Sequence, residues 1–321
     1  MTETLEELKP LATVFIMVFA GMGLKVLSKS PHFGKPIQRF FILLNSFAIW
    51  CILPVVVFFS IARFSSATIA GFTNAAIFAI LGCSACFVFS VAISHVARDD
   101  KIKTTALALN SAFMNVTYLG FPVVYSLLGP AALGPAAIYA VGIGVPHVIL
   151  GTVLMSSVTK KKITAKDIVL NILTFPAAFA LIVALLFVFL NANVPSTILN
   201  IFDSYLTLPF FLLLLLLVGY LTPIVSPKKY FDDLITVGAI RFLLCPLITY
   251  VAIGALGLAF TKEYFTPKPS LILSAMPPAV FNVLLASHYR HEHERYGAVV
   301  FYLTIFFLFA VFPILSVLMR S

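Results

Sequence analysis

The sequence 110-NSAFMNVTYLGFP-122 lies inside an apolar stretch, yet it contains two asparagines, a glycine and a proline. A proline in a helix interior removes one backbone donor and clashes with the carbonyl four residues before it, at a cost of about 3 kcal/mol. In lipid, the freed carbonyls must also find new partners. The stretch therefore predicts a membrane helix that is interrupted around Asn115, Thr117, Gly120 and Pro122, where it is buried against protein or lines a cavity.

A second interruption is predicted in 270-SLILSAMPPAVFNVLLASHY-289, where Pro277 and Pro278 are adjacent and Asn282 follows within about one turn. Two consecutive prolines do not both fit the interior of an unbroken helix. The dipeptide Ser-Ala precedes the interruption in both stretches. The two interrupted stretches therefore occupy corresponding places in two halves of the chain.

The composition is that of an integral membrane protein. Hydrophobic residues make up 61% of the 321 residues, charged residues make up 10%, and the mean hydropathy is +1.08. In soluble domains about a quarter of the residues are charged. A helix needs about 20 apolar residues to cross the hydrocarbon core, and these stretches are too long and too unalternating for barrel strands. Ten membrane helices are predicted, at Leu11 to Leu27, Phe40 to Ala62, Ala75 to Ala97, Thr104 to Leu128, Ala131 to Ser157, Ile168 to Leu190, Ser204 to Val225, Leu234 to Phe260, Pro269 to Ala286 and Tyr296 to Leu318.

Ten helices divide into two groups of five, and an odd number per group makes the second group enter the membrane from the opposite side. The predicted fold is therefore an all-α integral membrane protein of two inverted five-helix repeats. Helices 4 and 9 are expected to be broken and to cross near the bilayer midplane. The repeats are predicted at residues 1–158 and 168–321, joined by a cytoplasmic connector at residues 159–167.

The basic residues set the expected orientation. When the connections are taken alternately, sixteen of the 21 lysines and arginines fall on one side of the membrane and five on the other. Cytoplasmic loops carry the excess of Lys and Arg, so both termini are predicted on the non-cytoplasmic side of the cell membrane. The net charge of +9 then reflects topology and does not indicate a nucleic-acid partner.

Acidic residues are predicted only in loops and at helix ends, so neither a proton relay nor a strong cation site is expected within the membrane. No nucleophile–base pair or metal-ligand set is visible at membrane depth, so the protein is not expected to be an enzyme. Arg241 follows two aspartates and precedes an uncharged stretch, and it is expected to extend towards the cytoplasmic face.

Two further features have competing interpretations. His147, beside Pro146 in the fifth helix, is either a neutral histidine hydrogen-bonded at a kink, or a proton sensor or substrate contact. Cys83 and Cys86 have the CxxC spacing of redox and metal motifs, but their apolar setting favours a close contact between helices.

The crossing itself predicts a binding site. The N-termini of two half-helices direct unpaired N–H groups and partial positive charge towards one place. The side-chain amides of Asn115 and Asn282 and the carbonyls freed by the breaks add further donors and acceptors. Such a site suits a small carboxylate and needs no formally charged side chain.

Three stretches resemble motifs of the auxin efflux carrier (PIN-like) family. The stretch 114-MNVTYLGFPVVYSLLG-129 is similar to that family's fourth helix, 276-MPPAVFNVLLASHY-289 to its ninth and 43-LLNSFAIWCILP-54 to its second. Helix count and spacing match along the whole chain, but specific residues match only in these places. Met114 stands where plant members often have a proline, and the long cytoplasmic loop of the larger plant carriers is absent.

The resemblance implies the ten-helix fold shared with bile acid:sodium symporters. In that fold, helices 1, 2, 6 and 7 form a scaffold, and helices 3–5 and 8–10 form a mobile transport domain whose crossed helices 4 and 9 hold the substrate. Family members carry small organic anions, including indole-3-acetate and malonate, by elevator-type alternating access. With the residues discussed above, the expected substrate-binding residues are Asn45, Asn115, Thr117, Gly120, Pro122, His147, Pro277, Pro278 and Asn282.

The predicted function is thus a secondary carrier of small organic anions, such as auxin-like or dicarboxylic acids. Two alternatives stay open, namely a sodium-coupled organic acid or bile acid-type symporter and a membrane receptor for the same ligand. Related bile acid carriers use an acidic ninth-helix residue for sodium, and residues 271–286 contain none, which favours a uniporter. The expected partners are an organic anion and the lipid bilayer; a homodimer is compatible with the sequence, and no cofactor or metal is expected.

Overall fold

The structure is a computed structural model that describes residues 2–159, 164, 166, 176–258, 266–290 and 292–319. Within these residues the chain is helical, and strand-type pairing is confined to an isolated bridge between Met114 and Pro278. Six of the described helices are long and apolar enough to cross a membrane. This is the architecture of a multi-pass α-helical membrane protein, as the composition predicts.

The helices are named here in chain order. They are α1 (Thr2–Leu27), α2 (Gly34–Ala62), α3 (Ser66–Val96), α4 (Lys101–Ala112), α5 (Val116–Leu128), α6 (Pro130–Thr159), α7 (Pro176–Phe189), α8 (Ser196–Leu221), α9 (Pro227–Ala255), α10 (Pro267–Ser274), α11 (Val280–His288) and α12 (His293–Leu318). The six long apolar helices are α2, α3, α6, α8, α9 and α12.

Two of the predicted spans are divided. The fourth consists of α4 and α5, and the ninth consists of α10 and α11. The count of ten spans and their inverted order remain predictions. Most of the predicted connector, at residues 159–167, and the start of the predicted sixth span lie outside the described residues, and α7 is described from Pro176 onwards.

Several prolines are accommodated without breaking a helix. Wide π-type turns lie at Ala48–Ile52 in α2, Phe202–Leu206 in α8, Ile240–Leu244 in α9 and Phe307–Val311 in α12. Each is followed within one turn by a proline, namely Pro54, Pro209, Pro246 or Pro313. A wide turn re-spaces the carbonyls that the proline ring would otherwise meet, so the helix continues beyond it. Pro146 lies inside the continuous helix α6.

Close contacts join α1, α2 and α8. Gly21 of α1 lies against the backbone of α8, where an added Cβ would be 2.9 Å from Tyr220 N. Phe41 of α2 stacks on the Tyr220 ring with centroids 3.6 Å apart. Farther along α2, Arg63 donates to both carboxylate oxygens of Asp203 on α8, at 3.0 and 2.9 Å. Since α7 packs along α2, these four helices form one packed group.

The helix α3 packs against α4, α6 and α9. Small residues allow its close approach to α9, since a Cβ added at Gly82 would lie 3.1 Å from the sulfur of Cys245. Cys86 also contacts α9, and both cysteines are free thiols. The CxxC pair therefore lies at a helix contact, which is the interpretation that the apolar setting favours.

Candidate functional site

The predicted interruption of the fourth span is present. The helix α4 ends at Ala112, and Phe113 is extended, with φ −110° and ψ 116°. Asn115 leaves the helical region, with φ −80° and ψ 67°, before α5 begins with a π-type turn at Val116. In the ninth span, α10 ends at Ser274, and Ala279 is extended before α11, with φ −66° and ψ 131°.

The two interruptions meet through their backbones. The Asn115 N–H donates to the Pro277 carbonyl at 2.8 Å, and the Ala279 N–H donates to the Phe113 carbonyl at 2.9 Å. These two bonds flank the antiparallel bridge between Met114 and Pro278, in which neither residue needs to donate to the other. The register thus places Pro278 where an N–H is not required, and the carbonyl of Pro277 is still used.

Gly120 allows the half-helix α5 to lie close to α10. A Cβ at this position would be 2.6 Å from Leu273 Cδ2 and 3.5 Å from Met276 Cγ. Leu273 is fully buried and has little room to move. Gly120 therefore acts through packing at the crossing, and the glycine has no need of an unusual backbone conformation for this.

Asn282 links three helices. Its side-chain Nδ2 donates to the Leu109 carbonyl at 3.1 Å and to Asn110 Oδ1 at 3.0 Å, both in α4. Its Oδ1 lies 2.7 Å from Nε2 of His147 in α6. Because the Asn282 amide nitrogen is the donor in the first two bonds, its oxygen must accept, which assigns the hydrogen of His147 to Nε2.

Aromatic rings enclose His147. The Phe113 ring stacks on the imidazole, with centroids 4.1 Å apart and planes 4° from parallel, and Phe281 meets it edge-on at 5.0 Å. His147 is therefore buried and joined to the crossing, as a histidine hydrogen-bonded within the helix bundle would be. Its partner is Asn282 on α11, whereas one of the two sequence interpretations placed that bond at the Pro146 kink, and a role in proton sensing or substrate contact stays a prediction.

Asn115 differs from Asn282 in its bonding. It is 3% exposed, its Nδ2 has no hydrogen-bond partner, and its side chain does not cap α5. A buried donor without a partner costs about 1–3 kcal/mol. The amide nitrogen of Asn115 is thus an unused donor at the start of α5, where the first N–H groups of the helix also lack intrahelical partners. Thr117 is half-buried in the same turn.

Arg241 is the residue that the sequence interpretation placed wrongly. It is 0% exposed and does not extend to a surface. Its guanidinium donates to the carbonyls of Ser111 at 2.9 Å, Ser274 at 2.6 Å and Met276 at 3.3 Å. Arg241 stands eight residues beyond Asp233 in α9, which is about 12 Å along a helix. That depth is the sequence signal that could have placed it inside the protein.

Arg241 therefore caps two half-helices at once. Ser111 belongs to the last turn of α4, and Ser274 is the last residue of α10. The carbonyls at a helix C-terminus lack intrahelical partners and together carry about half a negative charge. Two such ends sum to about one negative charge, which matches the guanidinium. This explains how a buried cation is tolerated without a carboxylate partner among the described residues.

The remaining predicted site residues lie around the crossing. Asn45 of α2 accepts a hydrogen bond from the Tyr118 hydroxyl of α5 at 3.0 Å, so it contacts the half-helix and not the bridge. Pro122 lines a cavity of about 380 Å³ between α1, α5 and α8. A second cavity of about 400 Å³, lined by Phe281 and Trp50, lies between α2, α6, α7 and α11.

The structure brings Asn115, Gly120, Pro277, Pro278, Asn282 and His147 together at the crossing. Sequence reasoning missed Arg241 and Asn110. Asn110 stands within the opening stretch, one helical turn from the interruption, but the sequence alone does not show that its oxygen faces Asn282.

The chain matches no model of a known protein family, and no curated protein gives a significant match to it.

Proposed function

We propose that the protein is a membrane carrier that moves small organic anions, such as auxin-like or dicarboxylic acids, by alternating access. The observation that carries the proposal is the pairing of two interrupted apolar helices through the bridge between Met114 and Pro278. Irregular backbone is tolerated at membrane depth only where it is buried in protein or lines a cavity. Discontinuous helices of this kind form substrate sites in many secondary transporters.

The electrostatics of the crossing favour an anion. The N-termini of α5 and α11 begin there and carry partial positive charge, and the free Nδ2 of Asn115 is a donor beside one of them. The ion pairs of the described residues lie elsewhere, as between Asp203 and Arg63 and between Asp99 and Lys103. A carboxylate would therefore meet donors at the crossing without a nearby like charge.

Helix packing supports two inverted five-helix repeats within a ten-span fold. In such a fold, predicted helix 1 corresponds to helix 6 and helix 2 corresponds to helix 7. The pair formed by helices 1 and 7 therefore corresponds to the pair formed by helices 6 and 2. These pairs are α1 with α8 and α7 with α2, and both pack closely. The same exchange relates the cavity beside α5 to the cavity beside α11, and their volumes of about 380 and 400 Å³ are similar. Each cavity suits a small ligand.

Elevator-type movement is supported by the grouping of the helices that are joined by buried hydrogen bonds. The crossing is bonded to α6 through His147 and to α9 through Arg241, which groups α4, α5, α6, α9, α10 and α11. Together with α3 and α12, these would form the transport domain. The helices α1, α2, α7 and α8 would form the scaffold. The hydrogen bond from Tyr118 to Asn45 joins the two groups and would break during transport.

The test uses the full-length protein with acetate, malonate, benzoate and indole-3-acetate. We expect at least one of them to raise the unfolding temperature of the purified protein and to exchange across proteoliposome membranes in a counterflow assay. The primary amide of the same acid is the control and should bind more weakly. Stabilisation without exchange would favour the receptor alternative. The proposal would be refuted if none of the four acids either stabilised the protein or exchanged across the membrane.

A further inference from the structure

Arg241 places a full positive charge beside the crossing. Its side chain is 0% exposed, and it donates to the carbonyls of Ser111 and Ser274, in the last turns of α4 and α10, and to that of Met276 in the interruption after α10. The sulfur of Met114 lies 3.5 Å from Nη2, so the guanidinium also touches the bridge between the two interruptions. The residue thus contacts both broken spans within the region where their backbones pair.

The crossing contains four half-helix ends of two opposite kinds. The C-terminal ends of α4 and α10 carry partial negative charge, and the N-terminal ends of α5 and α11 carry partial positive charge. Without a cation, the two kinds would largely cancel, and the site would have little preference between an anion and a cation. Two of the three main-chain carbonyls that accept from Arg241, those of Ser111 and Ser274, belong to the C-terminal ends, and the third, that of Met276, follows the end of α10.

We propose that Arg241 sets the charge selectivity of the crossing. By neutralising the C-terminal ends of α4 and α10, it leaves the N-terminal ends of α5 and α11 to act on the substrate together with the buried, unpartnered Nδ2 of Asn115. Arg241 does this from behind the bridge and is a positioning residue that need not touch the substrate. The inference rests on the proposed function, because it concerns the ligand of that same site.

Cys245 offers an alternative source of counter-charge. It stands one turn along α9 from Arg241 and contacts the guanidinium. If its thiol were ionised, the pair would be neutral and the helix ends would keep their own charges. A Cys245→Ser variant separates the two arrangements, because it removes the thiol and keeps both the arginine and the helix ends.

The experiment compares three indole ligands that differ chiefly in charge: indole-3-acetate, indole-3-acetamide and tryptamine. Binding to the full-length protein in lipid nanodiscs is measured for the wild type and for Arg241→Gln, Arg241→Lys and Cys245→Ser. We expect the wild type to prefer the anion to the amide and the amide to the cation. Removing one unit charge at roughly 10 Å in an effective dielectric of about 20 changes anion binding on the order of tenfold.

Arg241→Gln should therefore bind indole-3-acetate about tenfold more weakly than the wild type. Its affinity for indole-3-acetamide should stay within about twofold of the wild-type value. Arg241→Lys and Cys245→Ser should keep the wild-type ratio of acetate to amide affinity within about threefold. The proposal is overturned by an unchanged ratio in Arg241→Gln, or by a change in Cys245→Ser as large as that in Arg241→Gln.

Folding of the glutamine variant is not essential to the test. If Arg241→Gln does not accumulate in the membrane, Arg241→Lys decides, because it keeps the charge while losing the forked geometry. The proposal is then overturned if the lysine variant binds indole-3-acetate no more tightly than indole-3-acetamide. The proposed function itself is contradicted if the wild type binds neither indole-3-acetate nor indole-3-acetamide and transports none of the four test acids. Only the role of Arg241 is contradicted if the wild type binds indole-3-acetate and Arg241→Gln keeps the same ratio of affinities.

Discussion

Asn115 immediately precedes α5 and Asn282 is the third residue of α11, and their bonding predicts opposite responses to truncation. Asn115→Ala should weaken anion binding and leave stability almost unchanged, because its Nδ2 has no partner in the structure. Asn282→Ala should destabilise the protein, because its side chain is bonded to Leu109, Asn110 and His147. The two variants therefore distinguish a side chain that is expected to contact the ligand from one that stabilises the packing of the interrupted helices.

The magnitudes follow from the contacts. Asn282 makes three side-chain hydrogen bonds, and interhelical bonds in membrane proteins contribute on average about 0.6 kcal/mol each and at most about 1.7 kcal/mol. The expected loss is about 2–5 kcal/mol. A hydrogen bond from Asn115 to a carboxylate contributes about 1.5–3 kcal/mol, so its loss should weaken binding by about 10- to 150-fold.

Unfolding free energies are measured by detergent denaturation of the purified variants, and affinities by titration with the carboxylate that stabilises the wild type most. Asn200→Ala is the matched control, since Asn200 is exposed on α8 and should change neither quantity. Equal destabilisation by Asn115→Ala and Asn282→Ala would refute this division of roles. So would an Asn282→Ala protein with wild-type stability and lost affinity.

Three other predictions concern packing, movement and coupling. Gly21→Ala should lower the unfolding free energy by about 1–3 kcal/mol through overlap with α8, whereas Gly23→Ala, with nothing within 4 Å, should not; equal thermal stability of the two would contradict the close packing. Tyr118→Phe, which removes the bond to Asn45, should change the turnover of counterflow by several-fold and the affinity by less than about twofold; an altered affinity with normal turnover would contradict a link between moving parts. Uptake into proteoliposomes should be the same with and without a sodium gradient, and uphill accumulation driven by sodium would favour the symporter alternative.

The interruptions were predictable because their cause is local. Pro277 and Pro278 lack N–H groups wherever they stand, and a helix interior has no use for two such residues in succession. The composition likewise predicts apolar spanning helices, since no other backbone arrangement except a closed barrel satisfies itself in lipid. Whether a single proline breaks a helix was less predictable. Pro54 and Pro246 follow π-type turns that keep their helices continuous, and Pro122 follows a similar turn at a true interruption.

The partners of each side chain were not predictable, because they depend on which helices become neighbours. Asn282 is joined to Asn110 across the interruption, although 172 positions separate them in the sequence. Asn45 was expected to bind substrate, and whether it does so remains a prediction; in the structure its oxygen accepts a bond from Tyr118. A motif gives the residue type and its approximate depth, whereas the direction of its side chain is set by tertiary packing.

The misplacement of Arg241 follows from a rule that treats a basic residue near a helix end as a group seeking water. That rule considers the cost of burying the charge and the length of the side chain, but it omits the hydrogen-bond acceptors that the protein interior can supply. Two interrupted helices create free carbonyls that a continuous helix would have used, and those carbonyls need a donor as much as the guanidinium needs acceptors. The same breaks that create the N-terminal ends of α5 and α11 therefore also create the place in which Arg241 is stable. The proposed binding site and the buried cation thus share one structural cause, the interruption of two helices whose backbones pair there.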